Sequence, residues 1–132
     1  DFPAEQVPLT EALAAADIVV LATPGGAETR HLIGAEALAA MRPDALLINI
    51  SRGDVVDEAA LVAALEAGGI AGAGLDVYEF EPRVPEALVA MENVTLLPHL
   101  GTATLEVREA MGRMALDNVI AVAEGRAPPN PV

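Results

Sequence analysis

The 132-residue chain has no cysteine, no tryptophan and only 2% aromatic residues. Without cysteine there is no disulfide and no thiol nucleophile, although the compartment stays open. Lysine is absent too. All seven cations are arginines, scattered along a chain with 20 acidic residues and a formal charge of −13. Nucleic acids and anionic membranes are held by basic patches, so neither is an expected partner. No apolar run approaches the roughly 20 residues that cross a bilayer. The acidic balance fits a cytoplasmic protein. No signal peptide is visible, but the chain begins Asp1-Phe2-Pro3 without a methionine, so that absence excludes little. No G-x-G-x-x-G phosphate loop occurs: Gly72-Ala-Gly74 has no third glycine and runs on into a strand-like stretch. No metal site is expected.

What is present is 53% hydrophobic, mostly alanine, valine and leucine, which suits a sheet packed with small side chains. A domain of this length buries roughly two thirds of its unfolded surface, so the chain is one domain or a piece of one. Four short apolar runs each stop at a polar or special residue. Ile18–Ala22 ends at Thr23-Pro24, Ala45–Ile50 at Ser51-Arg52-Gly53, Ile70–Leu75 at Asp76, and Val94–Pro98 at His99. Helical patterns separate most of them, which predicts a parallel sheet with crossover helices.

The helices are read from their punctuation. Thr10–Ala16 is a short alanine-rich helix with Thr10 a candidate cap. A second runs from about Ala35 to Met41 and is stopped by Pro43. Asp57 is the N-cap of Glu58–Glu66, which Gly68-Gly69 ends. Val77–Pro82 is an irregular acidic loop. A long helix runs from about Thr102 to Glu124, with Val107, Met111, Met114, Ala115, Val119 and Val122 on one face. Gly125 closes it, and prolines stiffen the tail. The order is that of half a doubly wound α/β sheet, whose unpaired strand edge calls for partner strands upstream.

In a parallel sheet all strand carboxyl ends lie along one edge, where open α/β proteins bind ligands. An arginine, an aspartate and a histidine meet that edge by topology. The blocks that carry them are Ile48-Asn-Ile-Ser-Arg-Gly-Asp-Val-Val-Asp-Glu58, Gly72-Ala-Gly-Leu-Asp-Val-Tyr-Glu-Phe-Glu-Pro82 and Leu97-Pro-His-Leu-Gly-Thr-Ala-Thr104. In order and separation they resemble the D-isomer-specific 2-hydroxyacid dehydrogenases. The resemblance covers essentially the whole chain, as roughly the carboxyl-terminal two fifths of a complete enzyme. It implies a Rossmann-like fold: residues 1–101 as the second half of an NAD(P)-binding domain, and 102–132 as a helix and tail leading back toward a substrate domain.

By the same resemblance Arg52, Glu81 and His99 match the catalytic trio, with Glu79 a nearby rival to Glu81. The roles make physical sense. A planar, permanently charged guanidinium can bind the adjacent carboxylate and carbonyl of a 2-keto acid. It also stabilises the charge that grows on the carbonyl oxygen during reduction. Imidazole gives up a proton near neutrality, and a carboxylate beside it orients the ring. His31 reads as structural and Asp17 as the residue leading into the first strand.

For the cofactor, NAD or NADP, the resemblance implies contacts from Thr23, Pro24, Ile50, Ser51, Arg52, Asp76, His99 and Gly101. Gly101 serves equally well as a plain glycine before the last helix. Pro24-Gly25-Gly26-Ala27 departs from the family's frequent Pro-Leu-Thr-Pro. The carboxyl-terminal stretch is most similar to glyoxylate/hydroxypyruvate reductases, which implies reduction of a small 2-keto acid to glycolate or D-glycerate by a homodimer. Two other readings stand beside it: a non-catalytic dinucleotide-sensing corepressor on the same scaffold, and an inactive truncated remnant.

Overall fold

The structure, a computed structural model, describes residues 4–131. The opening Asp1-Phe2-Pro3 and the terminal Val132 lie outside the described residues. Two compact units are present, one ending at Pro98 and the other starting at His99. The first contains helix α1 (Leu9–Ala15), strand β1 (Ile18–Leu21), helix α2 (Ala35–Ala40), strand β2 (Leu46–Asn49), a 3-10 turn (Gly53–Val55), helix α3 (Glu58–Glu66), strand β3 (Gly72–Leu75), helix α4 (Glu86–Ala90) and strand β4 (Val94–Leu96). The second contains helix α5 (Leu105–Ala123).

The four strands form one parallel sheet in the order β1-β2-β3-β4. Its register aligns Leu21 with Asn49, Asn49 with Leu75 and Leu75 with Leu96. The polar residues that follow these strands therefore start from a common edge, as the apolar runs predicted. Strand alternation splits the side chains between two faces. Leu21, Leu47, Ala73 and Leu75 enter the core with Leu13, Ile33, Leu38, Leu61 and Leu88, whereas Ile18, Val20 and Leu46 on the other face are exposed.

Local chemistry fixes the element ends. The Asp57 carboxylate accepts the Ala60 N–H at 3.0 Å and starts α3, and Gly68 at φ +67° follows its end. Leu61 and Leu65, one turn apart, turn the buried side of α3 inward. Thr10 is not a cap. Helix α1 starts one residue earlier, at Leu9, because the Pro8 carbonyl already accepts the Ala12 N–H at 3.0 Å. Helix α4, which the sequence reading did not include, follows Pro85 and anchors itself by the fully buried Leu88.

In the second unit, Thr104 caps α5 by accepting the Val107 N–H at 3.4 Å, so the helix starts three residues later than expected. Its apolar stripe, Val107, Met111, Met114, Val119 and Val122, is exposed. The tail is tied to the helix where Asn118 Oδ1 accepts the Asn130 N–H at 2.9 Å. No helix among the described residues is long and apolar enough to cross a membrane.

Leu61 is fully buried at the centre of the first unit's core. Leu61→Ala is expected to lower the unfolding free energy by about 2–5 kcal/mol, measured by urea titration. A loss below about 1 kcal/mol would show a core able to collapse around the missing atoms.

Candidate active site

One buried side chain organises the edge after β2. Asn49 is 1% exposed, and an amide that deep must find partners. Its Oδ1 accepts the Ser51 N–H at 3.0 Å and the Ser51 hydroxyl at 2.8 Å, and its Nδ2 donates to the Arg52 carbonyl at 2.9 Å. The turn is thereby closed on one carboxamide. Ser51 is consumed inside it and Arg52 is delivered outward, exposed. The Arg52 Nη1 donates to the Ser51 carbonyl at 2.7 Å. Among the described residues it has no carboxylate partner, although Arg30, Arg42 and Arg126 each pair with an acid.

Two glycines let neighbouring loops close on this turn. A Cβ at Gly53 would lie 1.9 Å from the Tyr78 carbonyl, so only glycine lets the β2 and β3 loops touch there. A Cβ at Gly25 would lie 2.7 Å from Arg52 Cγ. The stem of Arg52 therefore occupies the space that a side chain at position 25 would enter.

The acidic loop after β3 is pinned at several atoms. The Asp76 N–H donates to the Asn49 carbonyl at 3.0 Å, and Asp76 is buried. The Tyr78 hydroxyl donates to the Leu97 carbonyl at 2.8 Å, while its N–H donates to Glu81 Oε1 at 3.1 Å. The Glu79 N–H donates to Glu58 Oε1 at 2.8 Å. Burial raises the Tyr78 phenol pKa, and the charges of Asp76, Glu81 and Glu58 push it further. Burial likewise raises Glu58 above the ordinary carboxylate value, with the Glu79 charge adding to the rise and the Glu79 N–H opposing it.

The other expected residues are distributed as follows. Thr23 is partly buried, and its hydroxyl is the one buried side-chain polar atom without a hydrogen-bond partner among the described residues. The Pro24 carbonyl accepts the Thr29 hydroxyl at 2.9 Å. Ile50 exposes its apolar side chain beside Arg52 in the chain. Glu81 is exposed, whereas its rival Glu79 has a side chain only 7% exposed. Arg52, Asp76 and Glu81 thus sit on adjacent loops of the first unit. His99 and Gly101 belong to the second, where His99 takes a left-handed backbone at φ +55°, an uncommon conformation in which histidine is enriched. A turn from Leu100 to Ala103 follows it.

Several organising residues escaped the sequence reading. Asn49 was the polar exception in an apolar run, which is a legible signal for a buried hydrogen-bonding role. Glu58 was hidden behind its neighbour's capping role. Among the described residues, no group of three or more His, Cys, Asp or Glu side chains is placed to hold a metal ion.

Residues 1–101 match the family model for the D-isomer specific 2-hydroxyacid dehydrogenase, NAD binding domain. The chain belongs to this dehydrogenase family. It is 50% identical over 129 residues to the glyoxylate reductase of Pyrococcus furiosus, covering 98% of this chain and 38% of that protein. Against the glyoxylate reductase of Thermococcus gammatolerans it is 50% identical over 129 residues, covering 98% and 39%. The NADPH-dependent glyoxylate/hydroxypyruvate reductase of Sinorhizobium meliloti, solved with NADP and malonate, superposes with a TM-score of 0.92 at 43% identity, covering 99% of this chain and 43% of that one. The chain therefore spans about two fifths of the length of these dehydrogenases.

The raised Glu58 pKa gives a pH prediction. Its folded value lies above the ordinary 4.5, so the carboxyl's contribution to stability is complete below that value and lost as pH climbs through the raised one. Glu58→Gln keeps an oxygen acceptor but does not ionise. Its stability relative to the parent should rise between about pH 4 and pH 7, followed by urea unfolding. A difference that is flat in pH, or that grows toward acid, contradicts the assignment.

Proposed function

We propose that this chain is part of an NAD(P)-dependent D-2-hydroxyacid dehydrogenase that reduces a small 2-keto acid, glyoxylate or hydroxypyruvate, to the 2-hydroxy acid. Residues 1–101 form the second half of its dinucleotide-binding domain, and 102–132 lead back toward its substrate domain. The observation that carries this reading is Arg52: an exposed guanidinium with no carboxylate partner among the described residues, in a chain of net charge −13. Such a cation is left for an anionic ligand.

The rim suits the cofactor. The unpartnered Thr23 hydroxyl is a buried donor and acceptor seeking a polar group, and Ile50 offers an apolar surface to a flat ring. Thr23, Pro24, Ile50, Ser51, Arg52, Asp76, His99 and Gly101 would hold NAD or NADP, as the likeness to a reductase solved with NADP supports. Bound reduced nicotinamide supplies the hydride.

The chain's own residues would supply the rest. Arg52 binds the keto acid's carboxylate and carbonyl oxygen through its planar fork of donors. It then offsets the negative charge that develops on that oxygen. His99 donates a proton to the same oxygen. Glu81 orients the imidazole. The complete protein is proposed to be a cytoplasmic homodimer. The exposed apolar stripe of α5 supports a further buried surface there, and the acidic charge supports solubility.

The test is oxidation of NADH and NADPH by the complete protein with glyoxylate and with hydroxypyruvate, followed as loss of reduced-cofactor absorbance. His99→Ala should lower kcat by about 100- to 10,000-fold while cofactor affinity, read by fluorescence titration, falls far less, since His99 is one of several residues given to the cofactor. Retention of most activity removes His99 from proton transfer, and no turnover by the parent with any small 2-keto acid overturns the function.

A further inference from the structure

We propose that Glu79 and Glu58 are positioning residues that fix the place of Glu81, an inference that rests on the role given to Glu81 above. Four residues, 78–81, link the contact at Gly53 to that carboxylate. They are held by side chains from two other loops. The Glu79 N–H is taken by Glu58 Oε1 at 2.8 Å, from the start of α3. The Glu79 carboxylate accepts from His31 Nε2 at 2.8 Å and from Arg30 Nη2 at 3.3 Å, both on the segment after β1. His31 Nδ1 lies 4.0 Å from Asp57, the chain neighbour of Glu58. The circuit closes: Glu58 to Glu79, Glu79 to His31, His31 to Asp57, and Asp57 back to Glu58 along the backbone.

Packing alone does not account for these groups. The Glu79 side chain is 7% exposed and Glu58 is buried, and removing carboxylates from water is costly unless they are hydrogen-bonded. Apolar side chains of the same size would fill the space without that cost. What they would not supply is direction. Charge-assisted bonds from a guanidinium and an imidazole fix the carboxylate they meet in a narrow range of positions. Glu79 stands two residues before Glu81, and Tyr78, on its other side, gives its N–H to Glu81 Oε1. Holding Glu79 therefore holds both ends of the short arc that presents Glu81. His31 also takes a left-handed backbone at φ +51°, a conformation in which histidine is enriched.

Two measurements test this. In the complete enzyme, Glu79→Gln should lower kcat about 10-fold or more while the keto-acid KM moves less than about twofold, as for a displaced catalytic group. In a Glu81→Gln background the same change should add less than about a twofold further loss, because both act through one carboxylate. Glu58→Gln, which keeps an oxygen for the Glu79 N–H, should lose several-fold less than Glu58→Leu. Wild-type kcat in Glu79→Gln, full multiplication of the two losses, or equal loss in the two Glu58 variants would overturn the proposal. Hydrogen exchange of the Tyr78 amide reads the same point without activity: Glu79→Gln should speed it about 10-fold with the global melting transition retained. Unchanged exchange overturns the proposal. If the parent enzyme turns over no keto acid, the role of Glu81 fails, and the Tyr78 amide alone decides whether Glu79 positions it.

Discussion

The carboxamide of Asn49 is the interaction on which the rim depends. It sits at the last residue of β2, buried under the sheet's carboxyl edge, and satisfies three backbone and hydroxyl groups of Ser51 and Arg52. Losing it would strand buried polar groups at about 1–3 kcal/mol each. More important for chemistry, it decides where the chain leaves the sheet. With Ser51 turned back onto Asn49, Arg52 has to point away from the core. The Asn49 carbonyl also receives the Asp76 N–H, so one residue sets the start of two adjacent loops.

Around that residue the structure concentrates its buried polarity. The core is leucine, isoleucine, valine and alanine with Met41 and Tyr78, whereas among the described residues Asn49, Ser51, Glu58 and Asp76 are its buried polar or charged exceptions. Asn49 ends β2, Ser51 and Asp76 follow β2 and β3 at the same edge, and Glu58 opens α3. Burial of polar groups is expensive where partners are missing and inexpensive where backbone N–H groups are aimed at them. Here the partners come mainly from short-range turns and from neighbouring loops, which the parallel register brings side by side. Gly53 allows the closest of these approaches. The geometry of the rim is a consequence of register first and of side-chain chemistry second.

That order explains what could be read from sequence. The four apolar runs, the Asp57 cap and the glycines after α3 are local signals: the runs appear as strands with their ends moved by a few residues, and the capped helix Glu58–Glu66 appears with its ends unmoved. Thr10 misled because Pro8, two residues earlier, supplies the first carbonyl of the helix. Helix α4 is five residues long, too short for a 3.6-residue period to show, and its buried Leu88 finds its place only in the folded core. The link between Glu79 and His31 spans 48 residues. No local pattern encodes it, and His31 alone looked like filler. That Arg52 and Asp76 follow neighbouring strands was legible because strand ends in a parallel sheet must share an edge. Asn49 was legible in principle and lost among the apolar neighbours that bury it.

The division of labour within the fold follows from the same facts. The bonds described above for Arg52 and the acidic loop lie within residues 30–97 and are made by atoms of this chain. Their orientation is therefore built in, and a ligand meets donors whose ordering has already been achieved in folding. The grip on a dinucleotide's phosphates is a different matter, because the chain has no glycine-rich loop opening a helix onto them. What it has, among the described residues, is an unpartnered threonine hydroxyl, an exposed isoleucine and a cation without an acid. On the function proposed above, those features would orient a reacting end. Substrate anchoring and cofactor affinity would then be coupled through Arg52 and His99, the two residues assigned to both.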